Sequence, residues 1–407
     1  MNEKYAERLS ELILTKGVAL KKGEKVRIAV GPSVYPYARH MAKKAYELGA
    51  SYVVIDVMDP DLDAVRSRYQ SDEEAAFLPD FVRAAADERA RDGYVNIRID
   101  SNEDRIGQEK GDADRMALIQ KTFRSATRKS SDRYMSNELS WCVTCAPGPK
   151  WAENLLGEGK SEDDLAEVLA KVLRIDRDDY LTAWNEFDTE VKARREKLNS
   201  LKIKTLHYQS SVTDFTISLR DNASFEGGAS ATPDGKSFFP NLPTEELFTT
   251  PDMYTAEGYI TTTRPVSVMN EITEHIRFTF HEGKVTDVSA EKGEEIIRKY
   301  LAIDEGASRI GEVALVDNLS PISQTGLIFG SILIDENASC HIALGSGYPE
   351  CIKGSGSAQT DEALHELGIN TSLMHTDFMV GSADLKITAT GYDGREHVIM
   401  ENGSFTL

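Results

Sequence analysis

The chain reads VRIAVGPSVYPYARHMAKKAYELGASYVVIDV from Val26 to Val57, and this stretch decides the fold of its N-terminal part. The two ends, 26–30 and 52–57, are short apolar runs typical of buried strands. Between them, residues 36–48 have the composition of a helix, and Gly49 ends it. The order strand, helix, strand predicts a β-α-β unit and therefore a parallel sheet.

The same alternation continues beyond this unit. Residues 71–91 are rich in helix-forming types, and 94–99 form a third strand candidate. The turn after the first strand, 31–36, reads GPSVYP and contains neither G-x-G-x-x-G nor a Walker lysine. The sequence therefore predicts an α/β domain without a dinucleotide or nucleoside triphosphate site.

The pattern of apolar and polar residues changes twice after this domain. Residues 102–131 are polar and predicted helical, and two better helices follow, one opened by a capping-box pattern at Ser161 and one over 179–198. After residue 200, apolar and polar residues alternate, which indicates half-buried strands. We predict an N-terminal α/β domain over 1–105 with a mainly parallel sheet, a mainly helical connecting region over 106–200, and a strand-rich C-terminal α+β domain over 201–407.

The charge of the chain limits its partners. Its 407 residues carry a formal net charge of −20. Phosphate backbones and acidic membrane surfaces attract basic proteins, so we expect neither nucleic acid nor a membrane as a partner. The N-terminus lacks the apolar core of a signal peptide, and no stretch has the length of a membrane-spanning helix, so the predicted location is cytoplasmic.

Four cysteines are present, and two of them, Cys142 and Cys145, form a lone C-x-x-C. A structural zinc knuckle needs a second pair at matching spacing, which Cys340 and Cys351 do not provide. The pair lies in WCVTC, which has the pattern of a strand rather than of a strand-to-helix turn. Two buried, reduced thiols are the favoured interpretation.

The segment LMHTDFMV places His375 and Asp377 two residues apart among apolar neighbours. On a strand, this spacing puts both side chains on the same face. An imidazole beside a carboxylate can act as two metal ligands or as an oriented His-Asp pair. The alternative is an ordinary surface pair.

A second candidate segment, DENASCH, follows the apolar run 327–334. We predict that this run is a strand, so Glu336 and His341 lie at or just beyond its end, where loops present functional groups. The alternative for Glu336 is an ordinary solvated turn residue. Tyr348 follows in a glycine-rich stretch, where the alternatives are a functional role and ordinary packing.

Two further acids stand beside apolar residues. Glu312 stands near the start of the very apolar segment GEVALV, so its carboxylate requires a cation, a hydrogen-bond partner or an exposed strand end. In PTEELF, spacing alone does not choose between Glu245 and Glu246. Histidine and carboxylate together suit zinc, cobalt, manganese or iron. The chain has neither H-E-x-x-H nor G-x-S-x-G.

With these motifs the chain resembles the aminopeptidase T, aminopeptidase S and PepS family of bacterial dimetal aminopeptidases. The similarity covers most of the chain and is strongest in its C-terminal half. The segments that carry it are NLPTEELFT (241–249), SAEKGE (289–294), GEVAL (311–315), DENASCH (335–341) and NTSLMHTDFM (370–379).

The resemblance implies that residues 201–407 form the catalytic metal-binding domain and that two divalent ions, Zn, Co or Mg, act there. It also implies homodimers and peptide substrates with a free N-terminus. Glu312 and Tyr348 are expected to be catalytic. The implied metal ligands are Glu246, Glu312, Glu336, His341, His375 and Asp377.

The implied chemistry is hydrolysis of the N-terminal peptide bond by a water that two metal ions activate. Glu312 is expected to accept its proton, and Tyr348 to bind the developing oxyanion. One alternative is a mononuclear Fe(II) ring-cleaving dioxygenase that uses His341, His375 and Asp377. A non-enzymatic peptide-binding protein is the other.

Overall fold

The structure is a computed structural model that describes residues 1–269, 271–358 and 360–407. The chain forms two compact units, an N-terminal unit and a C-terminal unit. The division into three segments made from the sequence stays a prediction. The N-terminal unit contains Met1–Ala183 and Ala229–Pro243, and the C-terminal unit contains Trp184–Gly228 and Thr244–Leu407.

Helices and strands alternate at the beginning of the chain, and strands prevail later, which confirms the predicted fold class. In chain order, the helices within the described residues are α1 Glu3–Leu12, α2 Tyr35–Glu47, α3 Pro60–Tyr69, α4 Asp72–Ala75, α5 Asp80–Arg91, α6 Ala113–Met135, α7 Pro149–Leu156, α8 Glu162–Val172, α9 Tyr180–Ser200, α10 Glu294–Leu301, α11 Pro321–Thr325, α12 Ile332–Asp335 and α13 Asp361–Glu366. The strands are β1 Lys25–Val30, β2 Tyr52–Val57, β3 Val95–Asp100, β4 Trp141–Cys145, β5 Ile203–Ser210, β6 Thr213–Ser218, β7 Ser230–Ala231, β8 Ser237–Phe238, β9 Leu247–Thr249, β10 Glu257–Thr261, β11 Val266–Val268, β12 Glu271–Thr273, β13 Arg277–His281, β14 Lys284–Ser289, β15 Ile310–Leu315, β16 His341–Gly345, β17 His375–Met379, β18 Lys386–Gly391, β19 Glu396–Glu401 and β20 Ser404–Phe405.

The predicted parallel sheet forms in the N-terminal unit, with strand order β2-β1-β3-β4. Val26 of β1 pairs with Val53 on one side and Val95 on the other. Val26 is fully buried, as expected for a central strand of a parallel sheet. Helix α2 connects β1 to β2, and Gly49 follows it with a φ of 95°, a conformation that glycine adopts without strain.

The C-x-x-C pair lies in β4 of this sheet. Cys142 and Cys145 are both buried and both free, which agrees with the favoured interpretation. Burial raises the pKa of each thiol, to about 12 for Cys145. Because the thiolate is the reactive form, both thiols are unreactive at neutral pH.

In the predicted helical connecting region, α8 begins as predicted, whereas α6 begins later in the chain than predicted. Ser161 and Asp164 form the expected capping box at the beginning of α8. Helix α6, however, begins at Ala113 rather than near 102. The preceding Glu103 is held in a 3-10 turn, where its carboxylate accepts the backbone N–H groups of Lys150 and Trp151 at 3.1 and 2.9 Å. In the described part of the chain, no helix combines the length and apolar character needed to cross a bilayer.

Two antiparallel sheets dominate the C-terminal unit. One has eight strands in the order β14-β13-β10-β6-β5-β18-β19-β20, and the other has four in the order β17-β16-β15-β9. The alternating segments seen in the sequence form β6 and β13, whose inward residues Phe215, Ile217, Phe278 and Phe280 are buried. The four-stranded sheet carries most of the candidate functional residues.

The apolar run 327–334 is not a strand, so this prediction was wrong. The carboxylate of Asp335 accepts the backbone N–H groups of Phe329 and Ser331 at 2.7 and 3.0 Å, which folds the run into a loop that leads into α12. Glu336 therefore begins a 3-10 turn, and His341 begins β16 rather than following a strand end.

An aromatic cluster supports β17 from the face opposite His375 and Asp377. Phe378 is fully buried, and its ring centroid lies 5.0 Å from that of Phe278 and 6.2 Å from that of Tyr300. The Tyr300 hydroxyl donates to the carbonyl oxygen of Leu344 in β16 at 2.7 Å. This packing fixes the strand from which two candidate ligands project.

We expect Phe378→Ala to destabilise the protein by about 3–5 kcal/mol, because it removes a buried ring and leaves a cavity. Urea unfolding measures the change. Phe81→Ala is the matched control, since Phe81 is 71% exposed. It should alter the free energy of unfolding by no more than about 0.5 kcal/mol. Equal effects of the two substitutions would contradict the packing described.

Candidate metal centre

The register of the four-stranded sheet aligns two acids across three strands. Glu312 of β15 pairs with Ala343 of β16, and Ala343 pairs with Asp377 of β17. Residues paired directly across antiparallel strands project from the same face. Because Ala343 carries only a methyl group, β16 places no bulky side chain between the two acids at this register.

A second row of residues runs beside the first. His341 pairs with Ala314 of β15, and Ala314 pairs with Phe248 of β9. His341, Ala343 and Gly345 alternate along β16, so all three lie on the face that carries the acids. At Gly345, φ is 115°, and a Cβ atom would lie 2.1 Å from the carbonyl oxygen of Met374. Glycine is therefore required where β16 approaches the beginning of β17.

Glu246 and His341 form the first half of the cluster. The Glu246 Oε2 atom lies 3.3 Å from Nε2 of His341, whose side chain is 1% exposed. On its other side, the His341 ring places Nδ1 3.1 Å from the carbonyl oxygen of Ser339. A proton on Nδ1 satisfies that contact and leaves Nε2 to face Glu246. The structure thus brings Glu246 to His341, whereas the backbone N–H of Glu245 donates to the Asn337 side chain.

His375, Glu312 and Asp377 form the second half. His375 Nε2 lies 3.3 Å from Oε2 of Glu312 and 3.4 Å from Oδ1 of Asp377. Its Nδ1 lies 2.7 Å from the carbonyl oxygen of Ser346, which fixes the ring in the same way. The prediction that His375 and Asp377 share one face of a strand is confirmed by β17.

The two halves meet at Glu312. Two triads have ligand atoms within 4.8 Å of one another, Glu246 with Glu312 and His341, and Glu312 with His375 and Asp377. Nitrogen and carboxylate oxygen donors are the set that divalent transition ions accept in hydrolytic sites. A carboxylate shared between two such triads is the arrangement that suits a pair of adjacent cations. The residues present therefore fit two divalent ions.

Glu336 and Tyr348 border these triads. Glu336 projects from its 3-10 turn, and its Oε1 accepts a hydrogen bond from Asn337 Nδ2 at 3.3 Å. The Tyr348 hydroxyl lies 3.2 Å from Nε2 of His375, and its ring packs edge-on against Phe248 with centroids 5.2 Å apart. All seven predicted site residues thus lie in one cluster, in which the charges of Glu246 and Asp377 act on Glu336, although neither Glu336 nor Tyr348 is a member of either triad.

The acids and histidines of the cluster lie close together and are shielded from water, and both conditions shift their pKa values. Burial raises the pKa of Glu312 to about 7. Burial and the charges of Glu246 and Asp377 raise the pKa of Glu336 well above its ordinary value. For His375, burial alone would lower the pKa, but hydrogen bonds to Asp377 and Glu312 outweigh it and raise the pKa to about 11. Without metal, the cluster therefore holds protons that a bound cation would replace.

Sequence reasoning did not identify the residues that make room for this cluster. Ala343 and Gly345 carry no functional group, and their part depends on pairing with Glu312, Asp377 and His375 on other strands. One local signal was available, since HIALG from His341 places small residues at every second position on a strand.

Comparisons with known proteins agree over the whole length of the chain. A family model described as thermophilic metalloprotease (M29) matches residues 2–405. Aminopeptidase 2 of Geobacillus stearothermophilus is 34% identical over 409 residues, with 100% of this chain and 98% of that protein covered. Aminopeptidase AmpS of Bacillus subtilis is 34% identical over 414 residues, with 100% of both chains covered. A solved structure, wild-type AmpT from Thermus thermophilus, has a TM-score of 0.90 at 30% identity and covers 100% of both chains.

These matches confirm the family resemblance and the fold class predicted from the sequence. They support a metal-dependent peptide hydrolase and give no support to the alternative of a ring-cleaving iron dioxygenase. Since the family model spans nearly every residue and relatives of 30% identity or more cover the full length, the chain belongs to the thermophilic metalloprotease (M29) family.

Proposed function

We propose that this M29 protein is a metallo-aminopeptidase and that the candidate metal centre is its hydrolytic site. The observation that carries the proposal is the Glu312 carboxylate, which belongs to both triads of potential metal ligands. The names of the relatives support the reaction, since the Geobacillus and Bacillus proteins are aminopeptidases by name and match this chain over its full length.

In this proposal, two divalent ions are held by Glu246, Glu312, Glu336, His341, His375 and Asp377. When bound, they supply an activated water and stabilise negative charge on the substrate carbonyl. Zn, Co and Mg are the proposed ions. The histidines bind through Nε2, because in each ring Nδ1 faces a backbone carbonyl oxygen.

Glu312 is proposed as the proton acceptor because its carboxylate is within reach of both triads and is 3% exposed. Low exposure keeps bulk water from competing for the proton. Tyr348 is proposed to donate a hydrogen bond to the oxyanion. Burial, followed by the charges of Glu312 and Asp377, raises the pKa of its phenol, so the hydroxyl keeps its proton and remains a donor.

Selection of a free N-terminus follows from the charge of the cluster. Glu246, Glu312, Glu336 and Asp377 present four carboxylates, which would balance the four positive charges of two divalent ions, so the loaded centre would carry no net positive charge that repels a terminal amine. An unprotonated terminal amine could then ligate one ion, which the delocalised nitrogen of an internal peptide bond does not do, and this would favour a free N-terminus. We also propose a homodimer in the cytoplasm, as the family resemblance implies.

Removal and return of metal test the proposed function directly. Treatment with EDTA should abolish the release of free amino acids from leucyl and other aminoacyl peptides, and added Zn, Co or Mg should restore it. The measurement is free amino acid released over time at several metal concentrations. Full activity after complete metal removal would overturn the proposal. So would a failure of every divalent ion to support hydrolysis, and oxygen uptake with dihydroxylated aromatic rings would then test the dioxygenase.

Substitution of one proposed ligand tests the centre itself. We expect Glu246→Gln to lower metal content and to reduce hydrolysis by more than about 100-fold, since even partners outside the ligand shell are worth up to about that much. Glu257→Gln is a matched control, because Glu257 forms an exposed pair with His281 at 3.1 Å in the same unit. The control should keep both metal and activity. Wild-type metal content and activity in Glu246→Gln would remove Glu246 from the centre.

The pKa shifts predict how pH affects the metal-free protein. The pKa of Glu312 is raised from 4.5 to about 7, that of His341 from 6.5 to about 10, and that of His375 from 6.5 to about 11. The folded state therefore binds more protons than the unfolded state from weakly acidic to alkaline pH, so stability falls as pH rises through this window.

Divalent ions replace these protons, so their stabilising effect should grow with pH. We expect added metal to raise the thermal unfolding midpoint of EDTA-treated protein more at about pH 8 than at about pH 6. Calorimetry with and without metal at each pH gives the difference. A metal-induced increase that is equal at both pH values, or larger at the lower one, would contradict the protonated cluster.

A further inference from the structure

One side chain of the C-terminal unit connects two of the proposed ligands without being a ligand itself. Asn337 lies in the 3-10 turn before β16, and none of its surface is exposed. Its Oδ1 accepts the backbone N–H of Glu245 at 2.7 Å. Its Nδ2 donates to the carbonyl oxygen of Leu333 at 3.1 Å and to Oε1 of Glu336 at 3.3 Å.

These contacts join segments that are 92 residues apart in the chain. Glu245 immediately precedes Glu246, so the bond to its N–H fixes the backbone from which the Glu246 carboxylate extends. The other end of the same amide holds the Glu336 carboxylate directly. The positions of Glu246 and Glu336 thus both depend on the side-chain amide of Asn337.

Only a primary amide supplies this combination of contacts at this reach. The group offers an acceptor oxygen and two N–H donors in one plane. An aspartate has no donor and would place a second negative charge against Glu336. A smaller side chain would leave the buried N–H of Glu245 without its acceptor, which costs about 1–3 kcal/mol.

We propose that Asn337 is a positioning residue for the metal centre, which sets the affinity for metal by fixing Glu246 and Glu336 relative to each other. This inference rests on the proposed function. Asn337 touches neither substrate nor reacting atoms and acts through the two acids. Its substitution should therefore weaken metal binding beyond any effect on folding.

The chain provides a matched control in Asn199. Its Oδ1 accepts the N–H of Phe225 at 2.7 Å, and its Nδ2 donates to the carbonyl oxygen of the same residue at 3.0 Å. The first of these distances equals that from Asn337 to Glu245. Phe225 is not a proposed ligand, so loss of the Asn199 amide should affect stability alone.

Two substitutions distinguish the contacts of Asn337 with Glu245 and Glu336 from its contact with Leu333. In Asn337→Ser, the hydroxyl can still donate to the carbonyl of Leu333, four residues earlier, but cannot reach both Glu245 and Glu336. In Asn337→Ala, all three contacts are lost. Each is compared with Asn199→Ala in the full-length protein, stripped of metal and titrated with Zn or Co, with bound metal counted by elemental analysis.

We expect Asn337→Ser and Asn337→Ala to weaken binding of at least one ion by about 10–100-fold, the range found for partners outside the ligand shell. Excess metal should restore kcat with KM for the peptide unchanged. Asn199→Ala should bind metal like the wild type while unfolding at a lower temperature. If Asn337→Ala does not fold, Asn337→Ser alone decides.

Two results would overturn the inference, and they differ from each other. If the wild type binds two ions and the Asn337 variants bind them equally well, Asn337 does not position the ligands and the proposed function stands. If the wild-type protein binds no divalent ion, the proposed function fails and the inference fails with it.

Discussion

Glu312 is a carboxylate with 3% of its surface exposed, and burial of such a charge without compensation costs several kcal/mol. In this protein the compensation comes from His375 at 3.3 Å and from the second triad, to which Glu312 also belongs. The neighbouring acids Glu246 and Asp377 increase the cost of burying the Glu312 charge, because like charges repel. A cation is the partner that would satisfy all of these groups together, and the four-stranded sheet holds Glu312, His341, His375 and Asp377 on its strands.

The sheet meets this need by dividing its two faces. On one face, β15, β16 and β17 present acids and histidines over the small residues Ala343 and Gly345. On the other, Phe378 packs against Phe278 and Tyr300. The aromatic contacts stabilise the strands from the face opposite the acids and histidines. The aromatic packing that stabilises the sheet and the residues of the candidate metal centre thus lie on opposite faces of the same strands.

Much of this could be predicted from the sequence because its signals are local. The first β-α-β unit was predicted from two short apolar runs on either side of a helical segment, and the spacing of His375 and Asp377 placed them on one face once that segment was taken as a strand. The run 327–334 was misread because an apolar stretch does not distinguish a strand from a loop, and the hydrogen bonds of Asp335 decided for the loop. Glu245 and Glu246 were indistinguishable by spacing; the family resemblance chose Glu246, and the contact of Glu246 with His341 agrees with that choice. The parts of Ala343 and Asn337 depend on partners distant in sequence, which no local pattern reveals.

Glu312, Ala343 and Asp377 are paired across three neighbouring strands and therefore lie in one row across the sheet. Adjacent strands lie about 4.8 Å apart because backbone hydrogen bonds fix that distance, whatever side chains they carry. The span between the outer acids is therefore set by the peptide backbone rather than by loop length. Loops around the centre can change in length and composition over evolution while this span persists. A centre built in this way tolerates wide sequence divergence as long as a small residue keeps the middle position.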